Sequence, residues 1–157
     1  MIGCVEDAEL IHEYSIDGLL PLDWTIAGEG SARIAYVSPD GIVYKVEISP
    51  EGSNSHEFLN INRIRKGEKL KGWDVPEASL YVLDFDVSVI AMEFVSGVPD
   101  IECDAASIFA DECTCGQKPC IAYVWDVARE FWGIHDLHLD NIKVRPDGVR
   151  VIIDLEA

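Results

Sequence analysis

The sequence predicts an α+β fold: a five-stranded antiparallel sheet with one long helix, then a smaller helical part ending in a β-hairpin. Three observations predict it. Short runs rich in β-branched and aromatic residues lie at residues 24–48 and 81–95, punctuated by turn sequences. Between them, residues 53–71 carry Phe58, Leu59, Ile61, Ile64 and Leu70 at mostly helical spacing. Beyond them, a second helical stretch at residues 121–132 precedes a strand–turn–strand pattern that closes on Asp154.

In chain order, residues 6–14 form a short helix ended by the Asp17-Gly18 turn signal. A strand at residues 24–27 is followed by Gly28-Glu29-Gly30-Ser31 and a second strand at residues 33–38. Pro39-Asp40-Gly41 is a tight turn, and residues 42–48 then alternate as a third strand should. Ser53 is placed to cap the long helix. Residues 81–84 and 87–95 give two more strands, and Ser96-Gly97-Val98-Pro99 closes the first half. Val124, Val127, Ala128, Phe131 and Trp132 fall on one side of the second helix, which predicts a buried amphipathic element. Strands at residues 142–144 and 149–153 flank the turn Pro146-Asp147-Gly148.

The composition, 48% hydrophobic and 26% charged, is that of an ordinary globular protein of 157 residues. Its net charge of −17 is not ordinary, and it disfavours broad binding to nucleic acid or to anionic membrane. That charge reads as a solvated acidic surface, or as a mimic of DNA if the acids form a continuous stripe. No stretch approaches the ~20 apolar residues that span a bilayer. The first ten residues carry Glu6 and Asp7 and no basic residue, so they do not read as a signal peptide, and a cytoplasmic protein is expected. Cys103, Cys113, Cys115 and Cys120 crowd one insert at spacings only loosely like those of zinc ligands. They read as free or buried thiols, or as a structural zinc site.

The chemistry lies in residues 136–154. Phosphoryl transfer needs positioned charges more than covalent work by the protein. Asp136 and Asn141 flank a short loop, and the hairpin after Asn141 returns the chain to that loop at Asp154. A carboxylate is thus available to an attacking hydroxyl, and an amide oxygen and a second carboxylate suit Mg²⁺. Asp136-Leu137-His138-Leu139-Asp140-Asn141 resembles the D-x-x-x-x-N catalytic loop of protein kinases. It resembles more closely the D-L-H-P-G-N loop of aminoglycoside and choline phosphotransferases. The thirteen-residue step from Asn141 to Asp154 also fits that superfamily, and Asp154-Leu155-Glu156 stands where protein kinases have D-F-G.

The resemblance extends upstream, from about Trp24 to Glu156. Gly28-Glu29-Gly30-Ser31 resembles the glycine-rich loop over nucleotide phosphates, where backbone N–H groups approach phosphate closely; Arg33 stands where that pattern has its third glycine. Val43-Tyr44-Lys45-Val46 resembles the V-A-I-K strand, which implies that Lys45 reaches the phosphates and that Glu57 is its ion-pair partner. Residues 90–95 resemble the hinge, whose backbone at Glu93 and Val95 is expected to bond adenine. Residues 1–97 would then be an N-lobe and residues 98–157 a strongly truncated helical C-lobe with a β-hairpin.

What the resemblance implies is a kinase-like phosphotransferase binding Mg-ATP between two lobes. Asp136, Lys45 and Glu57 would be catalytic, Gly28, Gly30, Ser31, Lys45, Glu93 and Val95 would bind the nucleotide, and Asn141 and Asp154 would hold Mg²⁺. The acceptor would be a hydroxyl of another protein or of the chain itself. There are departures. Ile134, not histidine, lies two residues before Asp136, and neither an activation segment nor A-P-E follows Asp154. An alternative is therefore a catalytically impaired pseudokinase acting as an acidic protein-binding module or inhibitor. A second copy of the chain, as a homodimer, is a further expected partner that would supply a missing wall.

Overall fold

The computed structural model describes residues 1–49, 52–67, 72–84, 87–99, 121–135, 137 and 139–155. Asp136 and the four cysteines of the insert, Cys103, Cys113, Cys115 and Cys120, lie outside the described residues. The chain is α+β. It divides into two units, Met1–Asn62 with Pro76–Phe94, and Arg63–Val75 with Val95–Ala157. No helix among the described residues is long and apolar enough to cross a membrane.

The first unit is built on strands β1 (Thr25–Glu29), β2 (Arg33–Val37), β3 (Ile42–Glu47), β5 (Ala78–Asp84) and β6 (Val87–Glu93). They form one antiparallel sheet in the order β1-β2-β3-β6-β5. Side chains alternate across a strand, so β3 serves two faces at once. Tyr44 and Val46 belong to a buried cluster with Ala8, Ile11, Trp24, Tyr36, Val89 and Ala91, and Ile42 packs against it. Ala8 and Ile11 come from α1 (Val5–Ile16), which therefore covers this face of the sheet. Lys45 and Glu47 turn to the opposite face, which bonds to α2 (Ser53–Lys66). The Trp24 and Tyr44 rings meet at 5.3 Å.

The N-terminus is stitched to the sheet. The Ile2 amide donates to Ser79 Oγ at 2.8 Å, and the Tyr81 hydroxyl donates to the Ile2 carbonyl at 2.9 Å. The Tyr44 hydroxyl accepts from the Cys4 amide and donates to Asp7, and burial pushes its phenol well above the usual range. Gly3, with φ 74°, lies so close to Tyr44 and Ala91 that a Cβ there would meet the Ala91 methyl at 2.8 Å. No L-residue with a side chain fits without moving one of them.

The second unit has a three-stranded sheet, β4-β8-β7, made by Trp73–Asp74, Arg150–Ile152 and Ile142–Val144. Strands β7 and β8 are the expected hairpin. Strand β4 is not in the sequence reading: two residues are too short to show a period, and they pair, in parallel, with a strand far along the chain. That pairing draws residues 63–75 into the second unit. Asp74 bonds Arg145 at 2.8 Å, and the Arg150 guanidinium stacks 5.4 Å from the Trp73 ring centre. The helix at residues 121–132 starts as α3 (Ile121–Val127) and continues as a π-helical segment, Ala128–Trp132, ended by Gly133 at φ 71°.

Several bounds differ from the sequence reading. α1 runs to Ile16, because Asp17 caps it, its amide donating to the Glu13 carbonyl. Gly28 and Glu29 are strand residues rather than turn residues, since the β1–β2 ladder continues through a bulge to Glu29↔Ile34. α2 ends at Lys66, where the Gly67 amide turns back to the Arg63 and Ile64 carbonyls.

Candidate functional site

In the first unit the sequence brings four polar side chains into the space between β2, β3 and α2. Lys45 is buried in mid-strand β3, and Glu57, one turn into α2, is fully buried. Lys45 Nζ donates to both carboxylate oxygens of Glu57 at 2.9 Å. Arg33, the first residue of β2, donates from Nη1 to Glu57 Oε2 at 2.5 Å. One carboxylate therefore holds two cations. Register explains the meeting: Ala35 pairs with Lys45, so Arg33 lies two residues along the neighbouring strand and on the same face.

Asn54 completes the arrangement. It lies three residues before Glu57, on the same side of the helix, and is fully buried. Its Nδ2 donates to the Lys45 carbonyl at 2.9 Å and to the Ser88 carbonyl at 2.7 Å, tying α2 to β3 and β6 together. Its Oδ1 accepts from Arg33. Its backbone amide donates to the Glu47 carboxylate at 2.5 Å. Ser53 is the first helical residue, so a strand carboxylate supplies this bond to the helix N-terminus, where negative charge is favoured.

Burying charge is costly unless it is paired and hydrogen-bonded. This cluster meets that condition with named partners, so α2 is fixed in azimuth and height against the sheet. Chemically, Glu57 orients the Lys45 side chain through two hydrogen bonds in a site that water barely reaches. Arg33 and Asn54 are the residues sequence reasoning missed. The available signal was the three-residue step from Asn54 to Glu57; the meeting of Arg33 with Glu57 depends on the β2–β3 register.

The β1–β2 hairpin leads into this cluster. The Gly30 amide donates to the Arg33 carbonyl at 2.8 Å, which closes the loop over Gly30, Ser31 and Ala32. Gly28, Gly30 and Ser31 are all exposed. Neither glycine has a left-handed backbone; a Cβ on Gly28 would meet nothing within 4 Å, and one on Gly30 only ordinary contact. Among the described residues, neither strain nor crowding calls for glycine at either position. Glu93 is the last residue of β6, and its amide donates to the Glu77 carbonyl at 3.0 Å.

In the second unit, Asn141 ends a short 3₁₀ turn, Leu139–Asn141, and leads directly into β7. The ladder Ile142↔Ile152 is extended by the Ile153 amide donating to the Asn141 carbonyl at 2.8 Å. That bond sets Asp154 immediately beyond the residue opposite Asn141, as the spacing predicts. Asp154 has φ 66°, a left-handed backbone that few non-glycine residues adopt, while Leu155 is fully buried beside it. Val95 is buried in this unit. Asn141 and Asp154 offer one amide oxygen and one carboxylate. Both are hard oxygen donors, the kind that hard cations take. Among the described residues there is no group of three or more His, Cys, Asp or Glu that could hold a metal by themselves.

Neither a family model nor a curated protein matches this sequence.

Proposed function

We propose that this chain is a protein-kinase-like phosphotransferase that binds Mg-ATP and passes its γ-phosphoryl group to a hydroxyl acceptor, on another protein or on itself. The observation that carries the reading is the buried Lys45–Glu57 pair between β3 and α2, with the β1–β2 glycine hairpin joined to it through Arg33. The order of elements adds support: glycine hairpin, lysine strand, glutamate helix, two strands, then a loop and hairpin ending in Asn141 and Asp154. Glycines that the chain itself does not require are what close approach of phosphate to backbone amides would need.

In this reading Lys45, steered by Glu57, binds the α- and β-phosphates. Amides of the hairpin at Gly28, Gly30 and Ser31 bond phosphate oxygens. Backbone groups of Glu93 and Val95 receive the adenine, which leaves to other groups the part that the Glu93 amide would play, since that amide is bonded to Glu77. Asn141 and Asp154 would hold Mg²⁺, which when bound neutralises charge on the phosphates. Asp136 accepts the proton of the acceptor hydroxyl as its oxygen bonds to the γ-phosphorus and the bond to the bridging oxygen breaks, releasing ADP.

The reading is tested by incubating the protein with γ-labelled ATP and Mg²⁺ and following label on the protein, on an added hydroxyl-bearing acceptor, and as free phosphate. Transfer should be lost in Asp136→Ala and in Lys45→Met. Transfer unchanged by Asp136→Ala would remove that residue from the mechanism. No labelling or release of any kind would leave no phosphotransferase to explain.

A further inference from the structure

The other face of the first unit carries a feature that the nucleotide reading does not use. Four large apolar side chains within seven residues, Ile16, Leu19, Leu20 and Leu22, are exposed, with Ile16 at 71%, Leu19 at 59% and Leu22 at 87%. Single exposed leucines are common, but a run of this density is not. The loop that carries them is anchored. The Leu19 amide donates to the Tyr14 carbonyl at 2.9 Å, the Trp24 amide to the Pro21 carbonyl at 3.2 Å, and the Tyr36 hydroxyl to Ser15 Oγ at 3.1 Å. Pro21 and Trp24 are buried, and a left-handed turn at Asp23, φ 65°, separates buried Trp24 from exposed Leu22. The leucines are therefore presented on a fixed backbone.

The charge around them has one sign. Residues 1–32 contain Glu6, Asp7, Glu9, Glu13, Asp17, Asp23 and Glu29 and no lysine or arginine. On α1, Glu6, Glu9, Leu10, Glu13 and Ile16 recur every three or four residues and are all exposed, while Ala8 and Ile11 face the sheet. The outer side of the helix thus lays a row of carboxylates beside the apolar loop.

We propose that α1 and the loop after it form a docking surface for a basic amphipathic helix of a partner protein. Such a helix carries an apolar stripe flanked by Lys and Arg at the same three-to-four-residue spacing, and it matches both the leucines and the carboxylates. A second copy of this face would instead set its exposed acids, Glu6, Glu9, Glu13, Asp17 and Asp23, against the same five. The proposal stands apart from Lys45 and Glu57, which lie on the opposite face of the sheet.

The probe is a labelled leucine–lysine peptide of about 18 residues in amphipathic helical order, long enough to fold on contact. Its controls are a scrambled peptide of the same composition and a leucine–glutamate peptide with the same stripe. Anisotropy should give saturable binding with Kd on the order of micromolar for the first, and at least roughly tenfold weaker binding for both controls. The deciding variant is Leu19→Asp with Leu22→Asp. It makes the face more acidic, so attraction by charge alone would tighten binding, whereas docking on the leucines predicts a loss of roughly tenfold or more. Both residues are exposed, so circular dichroism and the melting profile should stay as in the parent. Binding unchanged or tightened in the variant overturns the proposal, as does equal binding of the scrambled peptide or none of the first. So does self-association of the parent, seen by sedimentation, that this variant abolishes, because the face would then be an interface between copies.

Discussion

Lys45 and Asp154 are proposed to serve the same nucleotide, yet the chain holds them by different means. Lys45 is fixed by side chains: Glu57 grips it, Arg33 shares the same carboxylate, and Asn54 pins the helix that carries Glu57. Asp154 is fixed by backbone: a hairpin rung from Ile153 to Asn141, a left-handed turn at its own Cα, and buried Leu155 just after it. The first arrangement stakes folding stability on each charged partner. The second sets the backbone around Asp154 through main-chain groups, whose hydrogen bonds do not depend on which side chain projects from them.

That contrast is broken most severely at Glu57. Glu57→Ala removes the carboxylate that two buried cations share, and removing one partner of a buried pair costs about 3–5 kcal/mol. Urea unfolding should show this as a lower midpoint. A loss under about 1 kcal/mol would mean that Lys45 and Arg33 relax to water. Asn54→Ala comes next, at about 1–3 kcal/mol, for two buried carbonyls left without their amide donor. Its nucleotide affinity should fall as well, since α2 loses its tie to β3 and β6.

Tyr44 is the control from the other face of the sheet. Tyr44→Phe removes bonds to Cys4 and Asp7 and should cost about 1 kcal/mol with nucleotide binding unchanged. Its phenol ionises later in the folded chain than in the unfolded one. The stability it contributes is therefore whole below about pH 10, the unfolded value, and declines as pH rises above it. Stability followed from pH 8 to 11 should fall less steeply in Tyr44→Phe than in the parent. The smallest effect is expected at Asp154→Asn. Asparagine tolerates the left-handed backbone, so stability should move by no more than about 0.5 kcal/mol while Mg²⁺-dependent nucleotide binding is lost.

Much of this was legible in the sequence because it is local. The alternation of residues 42–48 put Lys45 on the face opposite Tyr44, the helical spacing of residues 53–71 marked Ile61 and Ile64, which are buried, along with Leu59, which is exposed, and Pro146-Asp147-Gly148 turns between β7 and β8. What escaped depends on register between distant segments. Arg33 reads as a missing glycine until the β2–β3 ladder carries it to Glu57. Asn54 reads as a polar helix residue until two strands converge on it. Gly97 reads as part of a loop, but a Cβ there would collide with the Val144 carbonyl oxygen, and that close approach follows from tertiary pairing. The left-handed backbone at Asp154 left no mark at all, since neither its own residue type nor its neighbours require it.

The most direct test of the nucleotide reading is the melting temperature with and without Mg-ATP, in the parent, Lys45→Met and Asp154→Asn. A ligand at 100 times its Kd stabilises by about 2.7 kcal/mol, which for a chain of this size is a rise of roughly 5–10 °C. The parent should show that rise and both variants should lose it, one from each unit. Lys45→Met alone should remain folded, because Arg33 still holds Glu57. No rise in the parent, or a full rise in either variant, would contradict the account.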